Sequence, residues 1–166
     1  MTDTLMKKTK SADETPRAET IVLGVGNVLH SDDGAGPALA DLISAEKSQS
    51  ITAFNCGTAP ENFTGVVRKL HPSLLIIADA SLMNMQPGTL RKIPADKIAD
   101  TAVGTHMLPL SHLIEYLRED ADEIIMIGIQ PENLNDGDEL SHGILCAVEQ
   151  LKTLILSGKT DTIPLY

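Results

Sequence analysis

Leu74-Leu75-Ile76-Ile77-Ala78-Asp79-Ala80 is the stretch on which the fold class turns. Its aliphatic run shows no alternation of polar and apolar positions, so a strand here must be covered on both faces, as strands of parallel sheets are. Upstream, Thr20-Ile21-Val22-Leu23-Gly24-Val25-Gly26 has the same character and is stopped by glycine. Ile51 to Asn55 and Glu123 to Ile129 read as further strands. Thr89 to Ile93 follows a Pro87-Gly88 turn and is expected antiparallel at one edge. Helical spacing fills the gaps: Leu39, Leu42 and Ile43; Phe63, Val66, Val67 and Leu70 after Pro60; Leu110, Leu113, Ile114 and Leu117; and Ile144, Val148, Leu151 and Ile155 in a last helix. Strands alternating with helices predict a single α/β domain. Its twisted, mostly parallel sheet carries helices on both faces, a three-layer sandwich.

The domain is expected over residues 19–157. Residues 1–18, polar and aperiodic, read as a disordered tail or expression remnant, and 158–166 as a short extension. A chain of 166 residues suits one domain. Aromatics are only 2%, so the core must be aliphatic, and base-stacking nucleic-acid modules are disfavoured. A net charge of −10 argues against a phosphate-binding footprint and suits a cationic partner, a metal ion or a basic peptide better. No apolar run reaches membrane-spanning length and no secretory h-region follows Lys7, Lys8 and Lys10, which makes the cytoplasm the expected compartment. Cys56 and Cys146 form no CxxC pair and read as two small buried thiols.

In open α/β sheets, sites form beyond the carboxyl ends of the strands. That rule selects the loop Gly26 to Gly34 with Asp32 and Asp33, the strand-end Asp79, and the loop Gly104 to Pro109 with His106. Each has an ordinary structural explanation. One of Asp32 and Asp33 is expected to cap the next helix while the other faces the site; Asp79 can be a buried, hydrogen-bonded acid; a lone His is more often a packing residue than a ligand. His30, His71, His112 and His142 are assigned to that ordinary role. Together, two carboxylates and an imidazole suit a first-row divalent metal with open positions. Gly24-Val25-Gly26 resembles the start of a dinucleotide fingerprint. The third glycine is replaced by Leu29, however, and the acids that follow would repel a pyrophosphate. Asn133 to Glu139 lacks the closing Glu of a calcium loop and reads as a solvated acidic segment.

Gly24-Val25-Gly26-Asn27 with Asp32-Asp33-Gly34, then Gly57-Thr58-Ala59-Pro60-Glu61-Asn62, Leu75 to Ala80, Pro87-Gly88-Thr89, Thr105-His106 and Gly128-Ile129-Gln130-Pro131-Glu132 form an ordered set. In that set the chain resembles the hydrogenase maturation endopeptidases, closest to the branch serving formate-hydrogenlyase and other energy-converting hydrogenases. The resemblance covers about Thr20 to Leu156. It implies an aspartic-type peptidase that removes the C-terminal extension of a nickel–iron hydrogenase large-subunit precursor after nickel insertion. It assigns Asp33, Asp79 and His106 to the metal-contacting positions, with Asp33 and Asp79 catalytic. The metal is then the nickel carried by the precursor, and cadmium or zinc are other divalent ions expected to enter the site. A monomer is expected. Cys56 and His30 depart from the family pattern, and a thiol beside the site would alter metal preference. Peptide hydrolysis needs an activated water, a polarised carbonyl and a proton for the leaving amine. Asp79 is the preferred base because strand-end burial should raise its proton affinity. The alternatives are acid catalysis by the Asp33–Asp79 pair, a non-cleaving nickel-delivery or scaffolding protein, and a nucleotide-binding module.

Overall fold

The computed structural model describes residues 19–103 and 108–166. The expected tail, 1–18, and the loop segment containing His106 lie outside them. Five strands form one sheet in the order β2-β1-β3-β5-β4. β1 (Thr20–Val25), β2 (Ile51–Gly57), β3 (Leu74–Ala80) and β5 (Glu123–Ile129) run parallel; β4 (Leu90–Lys92) is antiparallel to β5 at the edge. The turn signal Pro87-Gly88 thus marks a reversal of direction, as expected.

The unbroken apolar strands are buried because both faces are covered. Ile21, Leu23, Leu75 and Ile77 pack with Val67 of α2 (Thr64–Leu70) and with Leu110 and Leu113 of α4 (Leu110–Tyr116). Val22, Ile76, Ala78 and Ile127 pack against α1 (Ala35–Ala45) and α5 (His142–Leu156). Period-2 alternation along each strand distributes its residues between the two layers. The α5 stripe Ile144, Val148, Leu151 and Ile155 is buried at helical spacing. Between β4 and α4 the chain adds a short helix, α3 (Ile98–Thr101), that periodicity did not reveal; four residues are too few to show a stripe. Beyond α5, Ile163 is buried in the α1/α5 layer, and the Lys92 amide donates to the Pro164 carbonyl at 2.9 Å, so this segment lines the β4 edge. Among the described residues no helix is long and apolar enough to cross a membrane.

From β1 the chain crosses to β2 on one side, and β3 then pairs with β1 on the other. The carboxyl ends of β1 and β3 therefore flank a topological switch point, where an open α/β sheet leaves a crevice.

Candidate active site

Close backbone packing brings the first loop down onto this edge. Gly36, in the first turn of α1, sits so near the strands that a Cβ there would lie 2.5 Å from the Ala78 carbonyl oxygen and 2.6 Å from the Val25 nitrogen. Gly26 has φ 144°, and a Cβ on it would run into the Asp33 carbonyl oxygen. Only glycine satisfies both the positive φ and the close approach. The Gly-x-Gly start of the loop is thus a packing device that seats the 3-10 turn Ser31–Gly34 against the end of β3.

That turn carries the two acids. Asp33 is 4% exposed, and its Oδ2 accepts the Asn27 amide at 3.0 Å, closing the loop on itself. Asp79, the penultimate residue of β3, is fully buried and in register with Gly128 of β5. Asp79 thus lies near the end of β3 and Asp33 in the turn that follows β1, and that turn lies against β3. His106 lies outside the described residues, and among those described no three His, Cys, Asp or Glu side chains form a metal-holding cluster.

Asp32 behaves differently from the expectation. Neither it nor Asp33 caps α1, because Gly34 occupies that helix's N-cap position and both acids lie inside the 3-10 turn before it. Asp32, 0% exposed, instead reaches across the chain. Its Oδ2 accepts the amides of Glu132 (2.9 Å) and Asn133 (2.8 Å) and the Ser141 hydroxyl (2.9 Å), while Oδ1 accepts the Ser141 amide at 2.7 Å. Ser141 is the N-cap residue of α5, so Asp32 satisfies a donor at the start of a helix 109 residues away. The acidic segment 133–139 is exposed, as expected, but it is also pinned. Ser31 donates its amide to the Gly137 carbonyl (2.8 Å) and its hydroxyl to that of Asn135 (3.0 Å), and the Gly137 amide donates to Leu29 (2.9 Å).

Gln130 belongs to the Gly128–Glu132 motif, which by itself names no role for it. It is 7% exposed at the end of β5, and its Oε1 accepts the amides of Met83 (2.7 Å) and Met85 (3.3 Å). It holds the segment that follows Asp79. A polar residue directly after an apolar strand was the available signal. Burial pushes the Cys56 thiol up to about 12, so it stays neutral and offers no thiolate to a metal near neutral pH. Cys146 is exposed, contrary to the buried reading. It lies two residues past Ile144, ~200° around the helix and thus away from the core stripe. His30 Nε2 lies 3.5 Å from Asp136 Oδ1, and His71 Nε2 lies 3.7 Å from Asp122 Oδ1, both at the surface.

Comparison with known proteins accords with this geometry. The family model HycI, hydrogenase maturation protease, matches residues 38–158, a span that includes Asp79 and His106 and begins after Asp33. The hydrogenase 3 maturation protease of Escherichia coli K12 is 40% identical over 130 residues, covering 78% of this chain and 83% of the relative. A crystal structure of a hydrogenase 3 maturation protease superposes with TM-score 0.79 at 36% identity, covering 89% of this chain and 96% of the other. That of a [NiFe] hydrogenase maturation protease HycI from Thermococcus kodakarensis KOD1 gives 0.75 at 28% identity, covering 87% and 94%. A family model matching most of the chain, a relative 40% identical and the shared fold together show that the chain belongs to the hydrogenase maturation protease family.

Proposed function

We propose that this protein is the endopeptidase that removes the C-terminal extension of a nickel–iron hydrogenase large-subunit precursor once nickel has been inserted, acting as a cytoplasmic monomer. The single observation that carries the reading is the pair of buried acids, Asp33 and Asp79, at the switch point of a hydrolase-family sheet. Two buried carboxylates at one sheet edge bring oxygen donors together that can take a cation or pass a proton. Nickel, a first-row divalent ion, accepts the mixed oxygen and nitrogen donors that Asp33, Asp79 and His106 offer; cadmium and zinc fit the same donor set.

In this reading the nickel is part of the substrate, held by the precursor. Asp33, Asp79 and His106 contact it and so hold the scissile bond at the crevice. Asp79 takes a proton from water as the water oxygen bonds to the scissile carbonyl carbon. The proton passes to the amide nitrogen, the C–N bond breaks, and the tail leaves as a free amine. The seclusion of Asp33 as well as Asp79 also favours a second reading, in which the two acids work as an aspartic-type pair and nickel serves recognition alone. Mass spectrometry of nickel-loaded precursor tests both. Asp79→Asn and His106→Ala are each expected to leave the tail in place with the fold intact. If His106→Ala cuts normally, the three-residue recognition set is wrong; if Asp79→Asn does, the carboxylate mechanism is.

A further inference from the structure

The loop that carries Asp33 also presents two apolar side chains to solvent: Val28 is 50% exposed and Leu29 is 65% exposed. They are not loosely held. The Leu29 amide donates to Asn27 Oδ1 at 3.0 Å, its carbonyl accepts from Gly137 at 2.9 Å, and the chain then turns through Ser31 at φ 47°. A non-glycine residue in that region is costly and persists only where surrounding bonds impose it. The apolar tip thus stands in water between a bonded backbone and a constrained turn, four residues from a proposed site acid. Beside the tip, a shallow hollow is lined by Ser31, Asn133, Gly137, Asp138, Glu139 and Leu140. Among the described residues that line it, the charged ones are both acidic.

We propose that Val28, Leu29 and the Asp138/Glu139 hollow form one docking face on the precursor's path to the crevice, taking an apolar side chain flanked by a basic one. The inference rests on the proteolytic reading for the identity of the partner. The face is built for that chemistry in two ways. A rigid apolar tip loses little conformational freedom on binding. Carboxylates lining an open hollow attract a Lys or Arg side chain and disfavour an acidic segment.

The test is the affinity of nickel-loaded large-subunit precursor from the source organism for the full chain. It is measured by biolayer interferometry in the Asp79→Asn background, so that cutting does not obscure binding, and tail loss from the wild type is followed in parallel by mass. Leu29→Ser, or Val28→Ser as a second exposed change, is expected to raise Kd about tenfold, as the loss of one apolar anchor does. Asp138→Asn/Glu139→Gln is expected to raise Kd at low salt and to flatten its salt dependence. Kd within twofold of the background value in all variants overturns the docking face. Tail loss from the wild type together with unchanged Kd leaves proteolysis standing and removes only this surface. Shifted Kd values without tail loss uphold the surface and remove proteolysis instead.

Discussion

Adjacent acids in one turn should give opposite phenotypes, and Asp32 is the sharper half of that contrast. Replacing Asp32 with Ala deletes a buried side chain whose oxygens accept four hydrogen bonds, from Glu132, Asn133 and Ser141. A hydrogen bond to a carboxylate contributes ~1.5–3 kcal/mol, so simple addition overshoots; part-buried donors regain water as the loop relaxes. A net loss of ~3–5 kcal/mol is expected, which for a chain of this length lowers Tm by roughly 10 °C or more. Asp32→Asn should cost less, ~2 kcal/mol, because an amide oxygen at the Oδ2 position retains three partners while its NH2 opposes the Ser141 amide. Urea unfolding followed by circular dichroism measures both differences. A loss below ~1 kcal/mol for Asp32→Ala would refute the view that this acid joins the β1–α1 loop to the start of α5.

Other perturbations probe separate parts of the structure. Gly36→Ala forces a Cβ against backbone of β1 and β3, which cannot yield as a side chain can; a loss of ~3 kcal/mol or more is expected in the same unfolding assay, and near-neutral behaviour would contradict the tight seating of α1. Under native conditions at pH 8, a thiol reagent should modify Cys146 quickly and Cys56 only on unfolding, so the titre should rise from one thiol to two. Because the folded Cys56 pKa lies above the unfolded value, its neutral form favours the native state below pH 9. That contribution should be lost progressively as pH rises from 9.0 toward about 12, and Cys56→Ala should flatten this part of the stability profile.

The elements legible in the sequence were those whose cause is local. β3 matches the Leu74–Ala80 run residue for residue, because a short unbroken aliphatic stretch between helical segments suits a strand covered on both faces. The α5 stripe and the antiparallel edge at β4 were legible for the same reason. The exposure of Cys146 was legible too, since helical spacing turns it away from Ile144, but the general burial of cysteine outweighed that signal. What could not be read was pairing across distance. Nothing near Asp32 names Ser141 as its partner, and nothing near Gln130 names Met83. Strand order decides both, and strand order is a property of the folded sheet. Asp33 and Asp79 could be selected as strand-end acids from sequence, whereas the glycine contacts that seat the turn against β3 required coordinates.

The most direct measurement is the mass of a nickel–iron hydrogenase large-subunit precursor after incubation with this protein, with nickel inserted and without it. The account predicts loss of one C-terminal peptide from the nickel-loaded form alone, and none from either form with the Asp79→Asn variant. Equal cutting of nickel-free precursor, or an unchanged mass with wild-type protein and nickel present, would contradict it.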